Sequence, residues 1–245
     1  MNRQAGTLSI NVAKDTLGAA QSCASRLLEL LQQSINEAGR ATLAVSGGST
    51  PKLMFDEMAK TPFAWDKVHL FWVDERVVPP SDDQSNYKLA CENFIKPADF
   101  PKRNVHRVHG EIDPDQAARR YRDELEEFFE LKRGEFPAFD VMHCGMGDEG
   151  HTASLFPGEA HIEDRTGLTA AVFAPKLPHW RVTTLPGVLL AARNTLMLVA
   201  GADKNPVLKQ VAGGEYDPWT YPVQLIARDG LNVEWFLDEA AAAGL

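Results

Sequence analysis

The sequence of 245 residues is poor in cysteine and has no excess of positive charge. Its three cysteines, Cys23, Cys91 and Cys144, show no C-x-x-C spacing, which excludes a disulfide framework and a cysteine-bound zinc site and favours a reducing compartment. A formal net charge of −9 argues against broad contact with nucleic acid or with an anionic membrane surface. An anionic ligand must therefore be small and bound by a local cluster of residues.

Long apolar runs are also missing. The amino end, MNRQAGTLSINVAKD, lacks the apolar core of about 7 to 15 residues that defines a signal peptide. The most apolar window, residues 185–202, is interrupted by Pro186, Arg193 and Asn194, so it is typical of a helix, a turn and a buried strand rather than of a membrane span. We expect a cytoplasmic protein without a membrane partner.

Two signatures of well-known chemistries are absent as well. No G-x-S-x-G sequence occurs, which disfavours a serine hydrolase with a nucleophile elbow. The seven histidines show no H-x-x-x-H spacing of the kind that binds zinc on one helix face. The chemistry must be sought in other patterns.

The sequence does contain a regular alternation of strand-like and helix-like segments. The apolar residues of segment 16–38 recur with the period of about 3.6 residues that is typical of an amphipathic helix. Strands are predicted at residues 7–12, 41–46, 68–73, 105–110, 139–144, 169–174, 181–186, 195–201 and 223–227, and further helices at 114–131 and 233–243. This order predicts one α/β domain over residues 1–245, with a mostly parallel open sheet and helices on both faces.

In such sheets ligands bind beyond the carboxyl ends of the strands, and the loop SGGSTP at residues 46–51 lies at one of these ends. Its small residues leave backbone N–H groups accessible, its hydroxyl groups add donors, and the next helix is predicted to begin at Pro51 with its positive dipole end toward the loop. Since the G-K-[ST] of a triphosphate-binding loop is missing, this predicts a site for a single phosphate. A plain tight turn with a helix N-cap is the alternative.

A second polar loop, DERVVPPSDDQSNY at residues 74–87, follows the predicted strand 68–73. Asp74, Glu75 and Arg76 place charges together at the end of a parallel strand, where Arg76 can bind a phosphate or carboxylate through two hydrogen bonds. A solvated surface loop is the alternative explanation.

The third loop, GMGDEGH at residues 145–151, has the G-x-G-x-x-G spacing of dinucleotide-binding proteins. Those proteins carry a carboxylate about 20 residues later at the end of the next strand, and the predicted strand 169–174 ends without one. We expect instead that the loop presents His151 at the start of a helix, where the dipole disfavours the imidazolium and keeps the ring able to accept a proton. A histidine that merely forms a hydrogen bond at a turn is the alternative.

Five motifs between residues 46 and 208 together resemble the 6-phosphogluconolactonases, enzymes of the oxidative pentose phosphate pathway. They are, in family order, SGGSTP, WVDERVVP with SNY, GMGDEGHTASLFPG, RVTTLPGVLLAAR and GADKNPVL. The resemblance implies a modified Rossmann-like α/β fold, shared with glucosamine-6-phosphate deaminase and ribose-5-phosphate isomerase. It implies hydrolysis of 6-phospho-D-glucono-1,5-lactone to 6-phosphogluconate, with His151 as the general base that activates water.

The resemblance also implies the site residues and the partner. The catalytic residues are His151, Glu149 and Asp74; phosphate is bound by Ser46, Gly47, Gly48, Ser49, Thr50, Arg76, Arg181 and Lys204. The family usually has Asp two residues before the histidine, where this chain has Glu149. The expected partner is a small sugar phosphate lactone rather than nucleic acid. No metal or cofactor is expected, because a strained lactone ester needs only a base and hydrogen-bond donors. A monomer is compatible with the sequence.

Two other functions remain open. A glucosamine-6-phosphate deaminase or isomerase would typically read G-H-x-A-F-N-E-P and D-E-Y where this chain reads GHTASLFPG and DERVVP. A non-catalytic sugar-phosphate sensor on the same fold would typically carry a DNA-binding segment before the first strand, and only about six residues precede that strand here.

Overall fold

The computed structural model describes residues 9–174 and 179–245, and within them ten strands form two sheets. In chain order the strands are β1 (Ser9–Ala13), β2 (Ala41–Val45), β3 (Val68–Trp72), β4 (Asp74–Arg76), β5 (Val105–His106), β6 (Val141–Cys144), β7 (Thr169–Ala174), β8 (His179–Thr184), β9 (Thr195–Val199) and β10 (Val233–Asp238). The larger sheet has seven parallel strands in the order β1-β10-β9-β6-β2-β3-β5. The first two residues of the predicted strand 7–12 lie outside the described residues.

Helices connect most of these strands. They are α1 (Thr16–Ala38), α2 (Ser49–Lys60), α3 (Asn86–Ala90), α4 (Pro114–Phe128), α5 (Pro186–Ala191), α6 (Asn205–Gly213), α7 (Gln224–Asp229) and α8 (Glu239–Ala242). The predicted bounds of α1 are confirmed: Asp15 accepts a hydrogen bond from the N–H of Gly18, and Gly39 ends the helix in the left-handed conformation. No helix within the described residues is long and apolar enough to cross a membrane.

The large sheet is covered on both faces. Every residue of β2, β6 and β9 is buried, although neighbouring side chains of a strand point to opposite faces. One apolar core packs against these strands and includes residues of every long helix. The predicted fold class, a mostly parallel α/β sheet with helices on both faces, is confirmed. The exact extent of the domain, residues 1–245, stays a prediction.

Two predicted elements near the carboxyl end are wrong. Residues 223–227 are not a strand, because Gln224–Asp229 form α7, in which the buried Gln224 amide donates to the backbone oxygens of Gln210 and Glu215. Residues 233–243 are not one helix, because β10 lies between β1 and β9 and only Glu239–Ala242 are helical. Short apolar runs carry no decisive period, so they do not distinguish a buried strand from a helix.

The second sheet is antiparallel, with three strands in the order β4-β8-β7. Its strand β4 follows β3 after a single residue, so it lies next to the carboxyl end of the large sheet. In the β4–β8 ladder, Asp74 lies opposite Thr183 and Arg76 lies opposite Arg181. This pairing places Arg76 and Arg181 near the loops that follow β2 and β6.

Candidate active site

A cleft of about 460 Å³ lies beyond the carboxyl ends of β2, β6 and β9, beside the start of β4. All predicted site residues except Glu149 line it: Ser46, Gly47, Gly48, Ser49, Thr50, Asp74, Arg76, His151, Arg181 and Lys204. The position agrees with the rule that open α/β sheets bind ligands at the strand ends. The structure therefore brings together loops that are more than a hundred residues apart in the sequence.

The loop at residues 46–50 connects β2 to α2. The helix begins at Ser49 rather than at the predicted Pro51, since a proline is tolerated anywhere in the first turn, where the N–H groups lack helical partners. Ser46 Oγ is buried and has no hydrogen-bond partner in the part of the chain that the structure describes. A buried donor without a partner is costly, so this loop is suited to an anionic ligand.

The close packing behind this loop involves Asn86, a residue that the site prediction did not include. A methyl group at Gly47 would overlap the side-chain amide of Asn86, so only glycine allows this approach. Asn86 is buried, lines the cleft and donates from Nδ2 to the backbone oxygen of Asp74, 2.9 Å away. The SNY motif at residues 85–87 was the sequence signal that pointed to Asn86. Its contact with Gly47 joins two segments that are distant in the sequence, so the motif alone does not predict it.

Glu75 holds the SNY segment in place rather than facing a ligand. Its carboxylate accepts hydrogen bonds from the backbone N–H groups of Arg76, Asn86 and Tyr87 and from the hydroxyl of Ser85. Burial raises the pKa of Glu75, and these hydrogen bonds oppose that shift. Glu75 is 2% exposed, so the prediction of charges together at the rim holds for Arg76 and not for Glu75.

Two arginines line the cleft. Arg76 and Arg181 are direct partners across β4 and β8, and the Nε atom of each is buried without a hydrogen-bond partner in the described part of the chain. Burial lowers the pKa of Arg181, while Asp74, with Oδ2 at 3.7 Å from Nη1, partly offsets that shift. Like charges directly opposite in a ladder are destabilising, and an anion between them would relieve the repulsion.

Lys204 adds a further positive charge to the lining of the cleft. It ends a 3-10 turn, Ala202–Lys204, that precedes α6, and its Nζ lies 3.0 Å from Oδ2 of the more exposed Asp203. An exposed pair of this kind is weak, so the ammonium group can turn to a stronger anion.

His151 and Glu149 form a second feature of the cleft wall. His151 Nδ1 lies 3.2 Å from Glu149 Oε2, and the neighbouring His151 ring holds the pKa of Glu149 well below its usual range. A methyl group at Gly147 would overlap Nδ1 and Cε1 of the ring and would lie 2.8 Å from Glu149 Oε2. Glycine at position 147 thus makes room for the pair. With Nδ1 facing the carboxylate, Nε2 is the nitrogen left for a reactant.

No helix begins at His151, so the predicted effect of a helix dipole on its ring is wrong. Residues 151–159 form turns, and the next helical segment is the 3-10 turn Ala160–Glu163. The loop is held instead by hydrogen bonds from Gly147 N–H to the backbone oxygen of His151 and from Thr152 Oγ1 to that of Gly145, both of 2.9 Å. The Phe156 ring, 4.8 Å from the imidazole, adds packing.

Asp74 also lines the cleft, and its carboxylate contacts Ser154 and Arg181. Its Oδ2 accepts a hydrogen bond of 2.8 Å from the hydroxyl of Ser154 and faces Arg181. The contact that orients the His151 ring comes from Glu149. Ser154, fully buried, was missed by the prediction although it lies within the GHTASLFPG motif.

In the part of the chain that the structure describes, no group of three or more His, Cys, Asp or Glu side chains is arranged to hold a metal ion. The absence of a cofactor stays a prediction. Cys23 and Cys144 are buried free thiols, and burial raises the pKa of each.

Comparison with known proteins identifies the family. The model of the glucosamine-6-phosphate isomerase/6-phosphogluconolactonase family matches residues 14–235. The chain belongs to this family. A 6-phosphogluconolactonase from Nostoc sp. is 39% identical over 220 residues, covering 89% of this chain and 90% of that protein. One from Synechocystis sp. is 37% identical over 216 residues, covering 88% and 89%.

A solved structure gives the same result. The 6-phosphogluconolactonase from Trypanosoma brucei superimposes with a TM-score of 0.88 at 25% identity and covers 97% of this chain and 98% of that one. The range matched by the family model, residues 14–235, contains the loops that line the cleft.

Proposed function

We propose that the protein hydrolyses 6-phospho-D-glucono-1,5-lactone to 6-phosphogluconate, with His151 as general base. The observation that carries this proposal is a single cleft whose lining has two chemically different parts. One part presents Arg76, Arg181 and the loop at residues 46–50, whose buried donors have no hydrogen-bond partner among the residues that the structure describes. The other presents a histidine beside a carboxylate. The shared name of the relatives supports this choice of substrate.

Phosphate binding follows from the first part. The Arg76 and Arg181 guanidinium groups, the Lys204 ammonium group and the N–H groups at the start of α2 together offer charge-assisted hydrogen bonds to a dianion. These contacts are made to the phosphate and not to the reacting carbon, so they serve to position the lactone against His151.

The reaction follows from the second part. His151 Nε2 takes a proton from water as the water oxygen forms a bond to C1 of the lactone, and the carbonyl oxygen becomes an oxyanion. The imidazolium then returns the proton to the ring oxygen as the bond between C1 and that oxygen breaks. The product is an open-chain acid with a neutral hydroxyl at C5. Glu149 orients the ring and stabilises its charged form.

A strained lactone ester has an electrophilic carbonyl and a tethered leaving group, so the residues of the cleft suffice without a metal or cofactor. We propose that the chain acts as a single domain on a free metabolite in the cytoplasm, with neither nucleic acid nor a membrane as partner. A monomer would present the complete cleft.

The test is a direct assay of two reactions. Purified protein is incubated with freshly prepared 6-phosphogluconolactone and acid release is recorded after subtraction of spontaneous hydrolysis; a parallel sample receives glucosamine 6-phosphate and is assayed for ammonia. We expect acid release and no ammonia. Ammonia release would indicate the deaminase, and turnover of neither substrate would indicate a sensor.

A further inference from the structure

We propose that Asp74 determines specificity by accepting a hydrogen bond, at Oδ1, from a ring hydroxyl of the substrate. The inference rests on the proposed lactone hydrolysis and adds a residue that recognises the neutral part of the sugar. The two carboxylate oxygens of Asp74 differ in their contacts with the protein.

In the described part of the chain, only one of these oxygens, Oδ2, contacts other side chains. Oδ2 accepts the Ser154 hydroxyl at 2.8 Å and lies 3.7 Å from Arg181 Nη1. Among residues 9–174 and 179–245, no hydrogen bond reaches Oδ1. Asp74 is only 6% exposed, and it lines the cleft, so the cleft is where Oδ1 can find a donor.

The carboxylate is also held rigidly. Asp74 lies opposite Thr183 in the β4–β8 ladder, and its backbone oxygen accepts from the Asn86 amide at 2.9 Å. Ser154, which fixes Oδ2, is itself fixed by a hydrogen bond of 3.0 Å from its N–H to the Thr183 hydroxyl. A buried acceptor that is fixed through both its main chain and its side chain favours a donor at one position, because the carboxylate loses little conformational entropy on binding.

The chemistry of the group selects the part of the substrate that it meets. An ionised carboxylate accepts hydrogen bonds and repels phosphate, so Asp74 must face the uncharged sugar ring while the arginines bind the phosphate. Hydroxyl groups are the donors that a sugar lactone offers, at C2, C3 and C4. A site built around such a donor rejects an analogue that lacks it, because the buried acceptor is then left unpaired.

The experiment compares the parent lactone with its 2-deoxy, 3-deoxy and 4-deoxy analogues, each rate divided by the analogue's own spontaneous hydrolysis rate. We expect the wild type to prefer the parent over one of the three by about 10- to 150-fold in kcat/KM, the range of a hydrogen bond to a charged group. Asp74→Ala should lose this preference, and Asp74→Asn, which keeps a neutral acceptor, should retain part of it.

The matched control is Asp140→Asn, which alters a half-buried carboxylate at the opposite end of β6 that accepts from the N–H and hydroxyl of Thr42. This variant should lose stability and keep the full preference, which separates recognition from folding. A wild type without preference for any hydroxyl, or an Asp74→Ala variant that keeps the full preference, would overturn the inference alone. A wild type that does not turn over the parent lactone would refute the proposed function and this inference with it.

Discussion

Arg76 and Arg181 lie directly opposite each other across β4 and β8, and each keeps a buried Nε without a partner in the described part of the chain. Two cations in this position oppose folding, and among residues 9–174 and 179–245 only Asp74, on the neighbouring pair, lies within ion-pair distance of Arg181. We propose that a ligand with negative charge binds between the two arginines. The free protein is therefore expected to bear an electrostatic repulsion that phosphate binding removes.

The first prediction concerns affinity. Arg76→Ala should raise KM for the lactone by the equivalent of about 1.5 to 3 kcal/mol, with a smaller change in kcat, because a phosphate contact is equal in the ground and transition states. Steady-state kinetics measure both constants. Arg133→Ala, at an exposed arginine outside the cleft, is the control. Unchanged kinetics for Arg76→Ala would remove Arg76 from the site.

The second prediction concerns stability. In the wild type, 6-phosphogluconate at about 100 times its Kd should stabilise the fold by about 2.7 kcal/mol, seen as a rise in Tm. Arg76→Gln should leave the stability of the free protein unchanged or higher, since one of two opposed charges is gone, and should weaken the response to ligand. A free Arg76→Gln protein that is much less stable than the wild type would show that the arginine pair serves the fold.

The third prediction concerns Gly147. Gly147→Ala should lower kcat by about 10²-fold, because its methyl group would displace the imidazole and Glu149 from each other, and a shift of about 1 Å costs this much. Gly213→Ala, where nothing lies within 4 Å of the added methyl group, is the matched control and should be fully active. An active Gly147→Ala enzyme would mean that the position of His151 is not critical.

The fourth prediction concerns pH and Glu149. Since the pKa of Glu149 is lowered in the folded protein, the stability that it contributes is present above the ordinary carboxyl pKa of about 4.3 and is lost as pH falls toward the folded value. Glu149→Gln should therefore be less stable than the wild type at about pH 6, and the difference should shrink progressively below about pH 4. Urea denaturation at both pH values measures it. A difference that grows on acidification would contradict the assignment.

The sequence predicts well those features that depend on local pattern. The bounds of α1 follow from its periodicity and from Asp15 and Gly39, and the loops at residues 46–50 and 145–151 follow from glycine and hydroxyl content. Their meeting at one edge follows from the geometry of parallel strands.

Other features depend on partners that are distant in the chain. The antiparallel sheet that sets Arg76 against Arg181, the contact of Asn86 with Gly47 and the bond from Ser154 to Asp74 each join segments that have no common local signal. The assignment of Val233–Asp238 as helix failed for the same reason, since its apolar residues are buried between two parallel strands. The helix expected at His151 is absent because residues 151–159 form turns closed by contacts such as the bridge between Thr152 and Leu155.

The role of His151 as general base is tested most directly by the kinetics of His151→Asn. This variant has a side chain of similar size that cannot accept the proton. Circular dichroism and a normal Tm response to 6-phosphogluconate would establish that the variant folds and binds. After subtraction of spontaneous hydrolysis, kcat should fall by about 10² to 10⁴ with little change in KM, because proton transfer belongs to the transition state. A folded His151→Asn protein with the kcat of the wild type would contradict the central claim that His151 is the catalytic base.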